Sequence, residues 1–219
     1  MPPPTTPSEP RLPASLEALS ADDAGLCEPH ELAGVELHGA TWAGLRVSGL
    51  RIDEARLWGC DLSRAALAYP ELTDAVLDEP NLANAVVRGG SLRRVLVSGG
   101  RLTGAQWAET RIYDTVWRNA AADLSAFRLC ELVRVTFDSC NLREADFTGA
   151  SCSWVRFHDC DLTGAVFSKA RFANSELRRC RLEAVEGVAG LAGASMEFDA
   201  VLGIAPQLAE ALGIHLLED

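Results

Sequence analysis

The sequence predicts an all-β solenoid built from four-sided coils, and three regularities carry that reading. From Leu32 to Leu182 every fifth residue is apolar: fifteen Leu, six Phe, three Val, two Ile and three Trp, with Ala122 and Cys152 the only small members. A second comb two residues earlier, Val35 to Cys180, carries no charge and is mostly small, with eleven Ala and five Cys among thirty positions. The position two after each comb residue is Gly in ten units and Asn or Asp in six. Such a repeat has to be read before any single residue is interpreted.

A period of five fits neither regular element. On a helix it advances the side chain by about 140° per step and smears the apolar residues around the cylinder. On a flat strand an odd period sends successive comb residues to opposite faces. The comb stays buried only if the chain turns once per unit, so that four units close one twenty-residue coil with large residues pointing at its axis. Multiples of twenty separate Cys60, Cys140, Cys160 and Cys180, and also Glu54, Asp74, Arg94, Asp114 and Arg134. In the second set the sign of charge mostly alternates, as neighbours stacked about 4.8 Å apart prefer. Gly, Asn and Asp at the corners tolerate the positive φ of a type II turn. Leu124, Leu129 and Trp154 occupy the same position and are expected to use another turn type.

Along the chain, residues 1–13 hold six prolines and almost nothing apolar, a composition expected to be disordered. Residues 14–30 are expected to cap the first coil, as a short helix or an extended segment. Residues 31–185 form the β-helix. After Leu182 the comb breaks at Gly187, and residues 186–219 are expected to give one irregular last coil and a helical cap. Met196 to Gly213 reads as helix with Val201, Ile204, Leu208 and Leu212 on one face, split near Pro206. A solenoid needs such a cap to cover its last coil.

Units such as Cys60-Asp61-Leu62-Ser63-Arg64, Ala145-Asp146-Phe147-Thr148-Gly149 and Cys160-Asp161-Leu162-Thr163-Gly164 resemble the A(D/N)LXX motif of the pentapeptide repeat proteins. The resemblance covers residues 31–185. It implies a right-handed quadrilateral β-helix of about seven to eight coils, a rod of roughly 37 Å at about 4.8 Å per coil. It also implies that the C-terminal helices, including Val201, Ile204, Leu208 and Leu212, either cap the rod alone or also join two copies as a homodimer.

Chemistry is not expected. The chain shows no phosphate-binding Gly-rich loop, nucleophile elbow or zinc spacing, and its four His are scattered, with His158, Asp159 and Asp161 the one polar cluster. The reading is therefore a non-enzyme without cofactor or metal. Seven Cys on a chain whose start lacks a secretory pattern are expected to fill space in a reducing compartment. No stretch approaches the ~18 apolar residues of a membrane span, so a cytoplasmic, membrane-free protein is expected.

Function is expected at the outer surface. Val76, Leu96 and Val116 share one outward column, and Tyr113, Val133 and Trp154 share a face with Leu129 at its corner. Contiguous exposed apolar residues of this kind mark partner surfaces. Among relatives implied by the resemblance, some bacterial members mimic a DNA duplex and protect DNA gyrase or topoisomerase IV from quinolones or natural gyrase poisons. The net charge of −11 invites that comparison. However, residues 1–30 carry −4 and residues 186–219 carry −6, leaving −1 on the solenoid. B-DNA of the same length would carry about 22 negative charges. What remains is an acidic belt of Asp53, Glu54, Glu71, Asp74, Asp78 and Glu79. A protein-interaction scaffold of undefined partner is the leading expectation, and a topoisomerase-binding DNA mimic is the alternative. Direct nucleic-acid binding is not expected.

Overall fold

A computed structural model describes residues 5–19 and 30–216. Its strands pair in parallel at a fixed offset of twenty: Glu31 with Arg51, Arg51 with Glu71, Glu71 with Ser91, and onward to Ser151 with Arg171. One coil is therefore four five-residue sides. Two adjacent sides merge into one sheet, because strands Glu71–Asp78, Ser91–Ser98, Arg111–Arg118 and Glu131–Asp138 run through the corner between them. A third side carries a four-stranded sheet ending at Gln106–Ala108. The fourth is held by single bridges from Thr41↔Asp61 to Asp161↔Arg181.

All comb residues from Leu32 to Leu182 are buried. Packing differs along the rod. The first half is filled by Leu, around a small enclosed apolar cavity lined by Leu57, Leu62, Leu77, Leu82, Val87 and Trp107 among others. The second half holds two columns of rings on opposite sides. Trp107, Phe127, Phe147 and Phe167 stack at interplanar angles of 7–9°, and Trp117, Phe137 and Phe157 form the facing column. Rings from the two columns meet edge-on, as Phe147 meets Phe157 at 89°. Aromatic pairs favour both arrangements, at about 0.5–1.5 kcal/mol each beyond area burial.

The corners share one conformation. Every residue two after the comb, from Gly34 to Ala184, has φ between +49° and +72°. Leu124 (φ 58°), Leu129 (φ 56°) and Trp154 (φ 60°) are no exception, which corrects the expectation of a different turn type there. Leu124 and Leu129 even sit in hydrogen-bonded turns of the same kind as their neighbours, closed by the Ser125 and Cys130 amides on the Ala122 and Phe127 carbonyls. The ladder imposes this. The amides of Leu124, Leu129 and Trp154 each donate to a carbonyl one coil on, at 2.8, 3.0 and 2.9 Å. Losing such a bond costs as much as the ~1–2 kcal/mol of left-handed strain it enforces.

Both ends are closed by the chain itself. Glu17–Leu19 adds a strand to Val35–Leu37, the extended form of the expected cap, while residues 20–29 of that segment lie outside the described residues. At the other end Gly187 turns out of register at φ 65° and a 3-10 turn, Val188–Leu191, crosses the axis. Ala194–Met196 then pairs with Ser175–Leu177 at an offset of nineteen. Two short helices come next, α1 (Phe198–Gly203) and α2 (Ala205–Ala211), with Pro206 in the first turn of α2. Ile204, between them, is fully buried and with Val188 and Leu191 closes the core.

Of the proline-rich start, residues 1–4 lie outside the described residues, and the rest departs from the expectation of disorder. Ser8–Leu12 lie along the outside of the rod, with the Arg11 amide donating to Asp74 Oδ1 at 2.8 Å and the Ser8 amide to Asp114 Oδ1 at 3.3 Å. Composition alone missed this because a segment too poor in apolar residues to fold alone can still dock on a surface that is already folded.

Candidate interaction surfaces

The corner column Asp74, Arg94, Asp114, Arg134 holds two successive ion pairs on buried carboxylates. Stacking at twenty-residue intervals brings opposite charges into fork geometry. Arg94 Nε donates to Asp74 Oδ1 at 2.6 Å, and its Nη2 pairs with Oδ2. Arg134 donates twice to Asp114, at 2.7 Å each. Asp74 and Asp114 are 5% and 7% exposed, low for carboxylates. The Arg94 guanidinium holds Asp74 below the ordinary carboxylate range, against the pull of burial. At Asp114 burial pushes upward most strongly, yet the bonds from Arg134 and the Ser8 amide leave it lowered. Each carboxylate thus gives two acceptor sites to arginine and a further one to the N-terminal segment.

Beside this column lie Val76, Leu96 and Val116. They are not the open patch that their column position predicts. Ser8, Glu9, Pro10 and Leu12 stand over them in one shallow groove with Arg56 and Arg118 at its rim. Val76 is only 6% exposed, and Leu96 and Val116 are half-buried. The missed signal was Pro4, Pro7, Pro10 and Pro13, spaced by three.

On the neighbouring side Tyr113 and Val133 face each other across the ladder, both half-buried. Trp154 is half-buried at one corner of that side, and Leu129 is 62% exposed at the other. This surface is free of the N-terminal segment among the described residues. Next to it Ser91, Arg93, Arg111, Tyr113, Asp114, Glu131 and Arg134 line a polar groove.

The acidic belt is partly consumed. Asp74 is bonded as above, Glu71 pairs with Arg51 at 3.3 Å, and Glu79 accepts from the Gly100 amide at 3.1 Å. Among the belt's described residues Asp53, Glu54 and Asp78 have no cation within ion-pair distance, and Asp53 and Glu54 are exposed. His158, Asp159 and Asp161 do not converge. His158 meets Glu176 at 2.9 Å, Asp159 takes a two-bond fork from Arg179, and Asp161 pairs with Arg143. Among the described residues no three His, Cys, Asp or Glu are arranged to hold a metal ion. Cys140, Cys160 and Cys180 stack as a ladder whose thiols point at carbonyls 23 residues back, at 3.3–3.4 Å.

The C-terminal face divides. Ile204 is wholly buried and Leu208 is partly buried against the core, so neither is open to a second copy. Val201 is half-buried and Leu212 is 76% exposed. Among the described residues, the large apolar side chains that α1, α2 and the residues after them leave outside are Phe198, Leu202, Leu212, Ile214 and Leu216. Helical periodicity found the buried face, and helix packing on the last coil used it up.

Comparison with known proteins agrees on the repeat. Residues 110–186 match the family model described as "Pentapeptide repeat region". No curated protein matches the chain at a significant level. Among solved structures, the chain is similar to HetL, a pentapeptide repeat protein involved in heterocyst differentiation regulation from the cyanobacterium Nostoc sp. strain PCC 7120, at 17% identity. That match covers 76% of this chain and 89% of HetL, with a TM-score of 0.47. It is also similar to trypsin-treated QnrB1, a plasmid-mediated fluoroquinolone resistance protein, at 19% identity over 93% of this chain and all of that one, with a TM-score of 0.44. No described helix is long and apolar enough to cross a membrane. Residues 110–186 thus carry a pentapeptide repeat region, and the coils before it run in the same unbroken twenty-residue register.

Proposed function

We propose that this protein is a non-catalytic interaction scaffold that presents a rigid side of its rod to a protein partner. The observation that supports it most directly is the surface of Tyr113, Val133, Trp154 and Leu129: apolar groups left outward on a solenoid whose comb is wholly inward. Aromatic residues framed by charged groups are the usual composition of binding hot spots. The test places a photo-crosslinking side chain at Val133 or, as control, at exposed Arg143 on another side. A partner captured from Val133 alone, then reconstituted with purified components and lost on Val133→Glu, is the expected result. Equal capture from both positions, or binding unchanged by Val133→Glu, rejects this surface.

The second reading is a topoisomerase-binding DNA mimic. What favours it is the net charge of −11 and the exposed acids Asp53 and Glu54. What weighs against it is that Glu71 and Asp74 are already neutralised by Arg51 and Arg94. A gyrase supercoiling assay with and without a fluoroquinolone decides. Protection that falls steeply with salt and is abolished by Asp53→Lys with Glu54→Lys favours mimicry, whereas no effect at micromolar protein removes it for that enzyme.

A further inference from the structure

We infer that the groove between the Asp74–Asp114 column and the Val76–Leu96–Val116 stripe is a track for an extended proline-rich peptide of a partner, which the chain's own residues 8–12 occupy in its absence. The inference deepens the scaffold reading by adding a second surface and a ligand chemistry.

Register is the first argument. Asp74 and Asp114 are two coils apart, about 9.6 Å at 4.8 Å per coil. Ser8 and Arg11 are three residues apart, and one turn of polyproline II helix spans about 9.3 Å. Any three-residue segment bonded to both carboxylates must therefore be nearly fully extended. The coil repeat fixes this one acceptor spacing, so the pair reads peptide length and conformation rather than a single side chain. Proline at every third position pre-orders that conformation and leaves the next residue's amide free to donate, as Ser8 comes after Pro7 and Arg11 after Pro10.

The acceptors themselves are the second argument. A carboxylate this buried is usually saturated by its cation, yet Asp74 and Asp114 each retain an oxygen lone pair aimed outward and filled by a backbone amide. Backbone donors carry no sequence, so the carboxylates set register. The apolar stripe beneath Pro10 and Leu12 supplies the side-chain preference.

The attachment is also slight. Two amide bonds and the half-buried Pro7, Ser8, Pro10 and Leu12 hold the segment, while Glu9, Arg11 and Pro13 are exposed. A tethered segment held this way is displaceable by a free peptide of the same chemistry, the tether setting only its effective concentration.

The test uses the full-length chain with Ser8→Pro and Arg11→Pro together, which removes both donors and keeps the segment extended. The probe is a fluorescein-labelled peptide of residues 1–14 of this sequence, monitored by anisotropy. The wild type is expected to bind it at least about tenfold more weakly than the double variant, since each charge-accepted bond removed from the tethered copy is worth roughly that factor. Adding Asp114→Asn, which tolerates the corner's positive φ, is expected to weaken the double variant's binding about tenfold. A single cooperative melting transition, lowered in the Asp114→Asn variant by loss of the Arg134 bonds, shows that the rod is intact. Equal binding to wild type and double variant, or none to either at millimolar peptide, overturns the inference. Concentration-dependent dimerisation of the wild type that the double variant lacks also overturns it, because the occupant is then a second copy. None of these outcomes touches the crosslinking result at Val133, so the two readings fail independently.

Discussion

At a corner the residue has one job, to hold φ near +55° while its amide reaches the next coil. Glycine does this without strain, yet twenty-one of the corners from Gly34 to Ala184 carry a side chain. The reason shows at the corners stacked directly beside them. A β-carbon on Gly89 would come within 2.7 Å of the Tyr69 ring, one on Gly104 within 2.6 Å of Asn84, and one on Gly149 within 2.7 Å of Leu129. A long corner side chain leans along the rod over the next corner, which then stays empty. At these corners glycine answers stacking as well as turn conformation, a link that the five-residue comb does not display, whereas a β-carbon on Gly34, Gly39, Gly44, Gly49 or Gly59 would meet nothing. Gly149→Ala is expected to destabilise by about 1–2 kcal/mol, from left-handed strain and the displacement of Leu129. Leu124→Gly, at a corner whose side chain is 55% exposed, trades strain relief of similar size against about 0.5–1 kcal/mol of chain entropy and is expected to be neutral or stabilising. Paired denaturant titrations check this, and an equal loss in both variants would show that corner strain is not what separates them.

At the scale of the element, most of the solenoid was legible because period five leaves the chain no alternative burial. The elements that were misread are those whose environment is another element. Ile204 and Leu208 have the spacing of an exposed helical stripe, but α1 and α2 are so short that the last coil absorbs it. What remains outside is Leu212, at 76% exposure, with residues that periodicity did not select: Phe198 at 75%, Leu202 at 55%, Ile214 at 55% and Leu216 at 61%. Large apolar side chains left exposed at one end of a rod are the kind of surface that a two-fold axis would bury against itself. If these helices join two copies, light scattering should report a dimer that Leu202→Asp with Leu212→Asp converts to monomer with little change in melting. A monomer at all concentrations leaves the helices as a cap. Buried Ile204 supplies the contrast: Ile204→Ala is expected to cost about 2–4 kcal/mol of stability without altering assembly.

For the whole molecule, charge is organised to bind coil to coil. Arg51–Glu71, Asp74–Arg94, Asp114–Arg134, Arg118–Asp138, Arg156–Glu176 and Asp159–Arg179 all join residues twenty apart. The sequence displayed the alternation in one column, but it could not show that the same pairing would consume the acidic belt or that two of the carboxylates would also hold the N-terminus. This arrangement has a pH signature. Arginine bonds hold Asp74, Asp159 and Arg-flanked Glu176 below their ordinary values, the last with His158 as its strongest partner. Asp114, Asp146 and Asp161 are also lowered, their bonds outweighing the upward push of burial. A carboxylate lowered on folding stabilises fully above its unfolded pKa of about 4, and that contribution is lost as pH falls through the folded value. Buried thiols act in the opposite direction. Burial pushes Cys130 up to about 12 and Cys152 higher still, so their share is complete below the unfolded value of about 8.5 and disappears as pH rises beyond it. The melting temperature is therefore expected to be flat between about pH 5 and 8 and to fall on both sides. The acid limb should begin with release of residues 8–12, because Asp74 and Asp114 are the acceptors that hold them. Amide hydrogen exchange is the measurement: protection factors at Ser8 and Arg11 should fall as pH drops below the ordinary carboxylate range, while Leu132 and Phe137 stay protected. Loss of protection at all four amides together would mean that the segment is no looser than the rod, and that the carboxylate column is not its fastening.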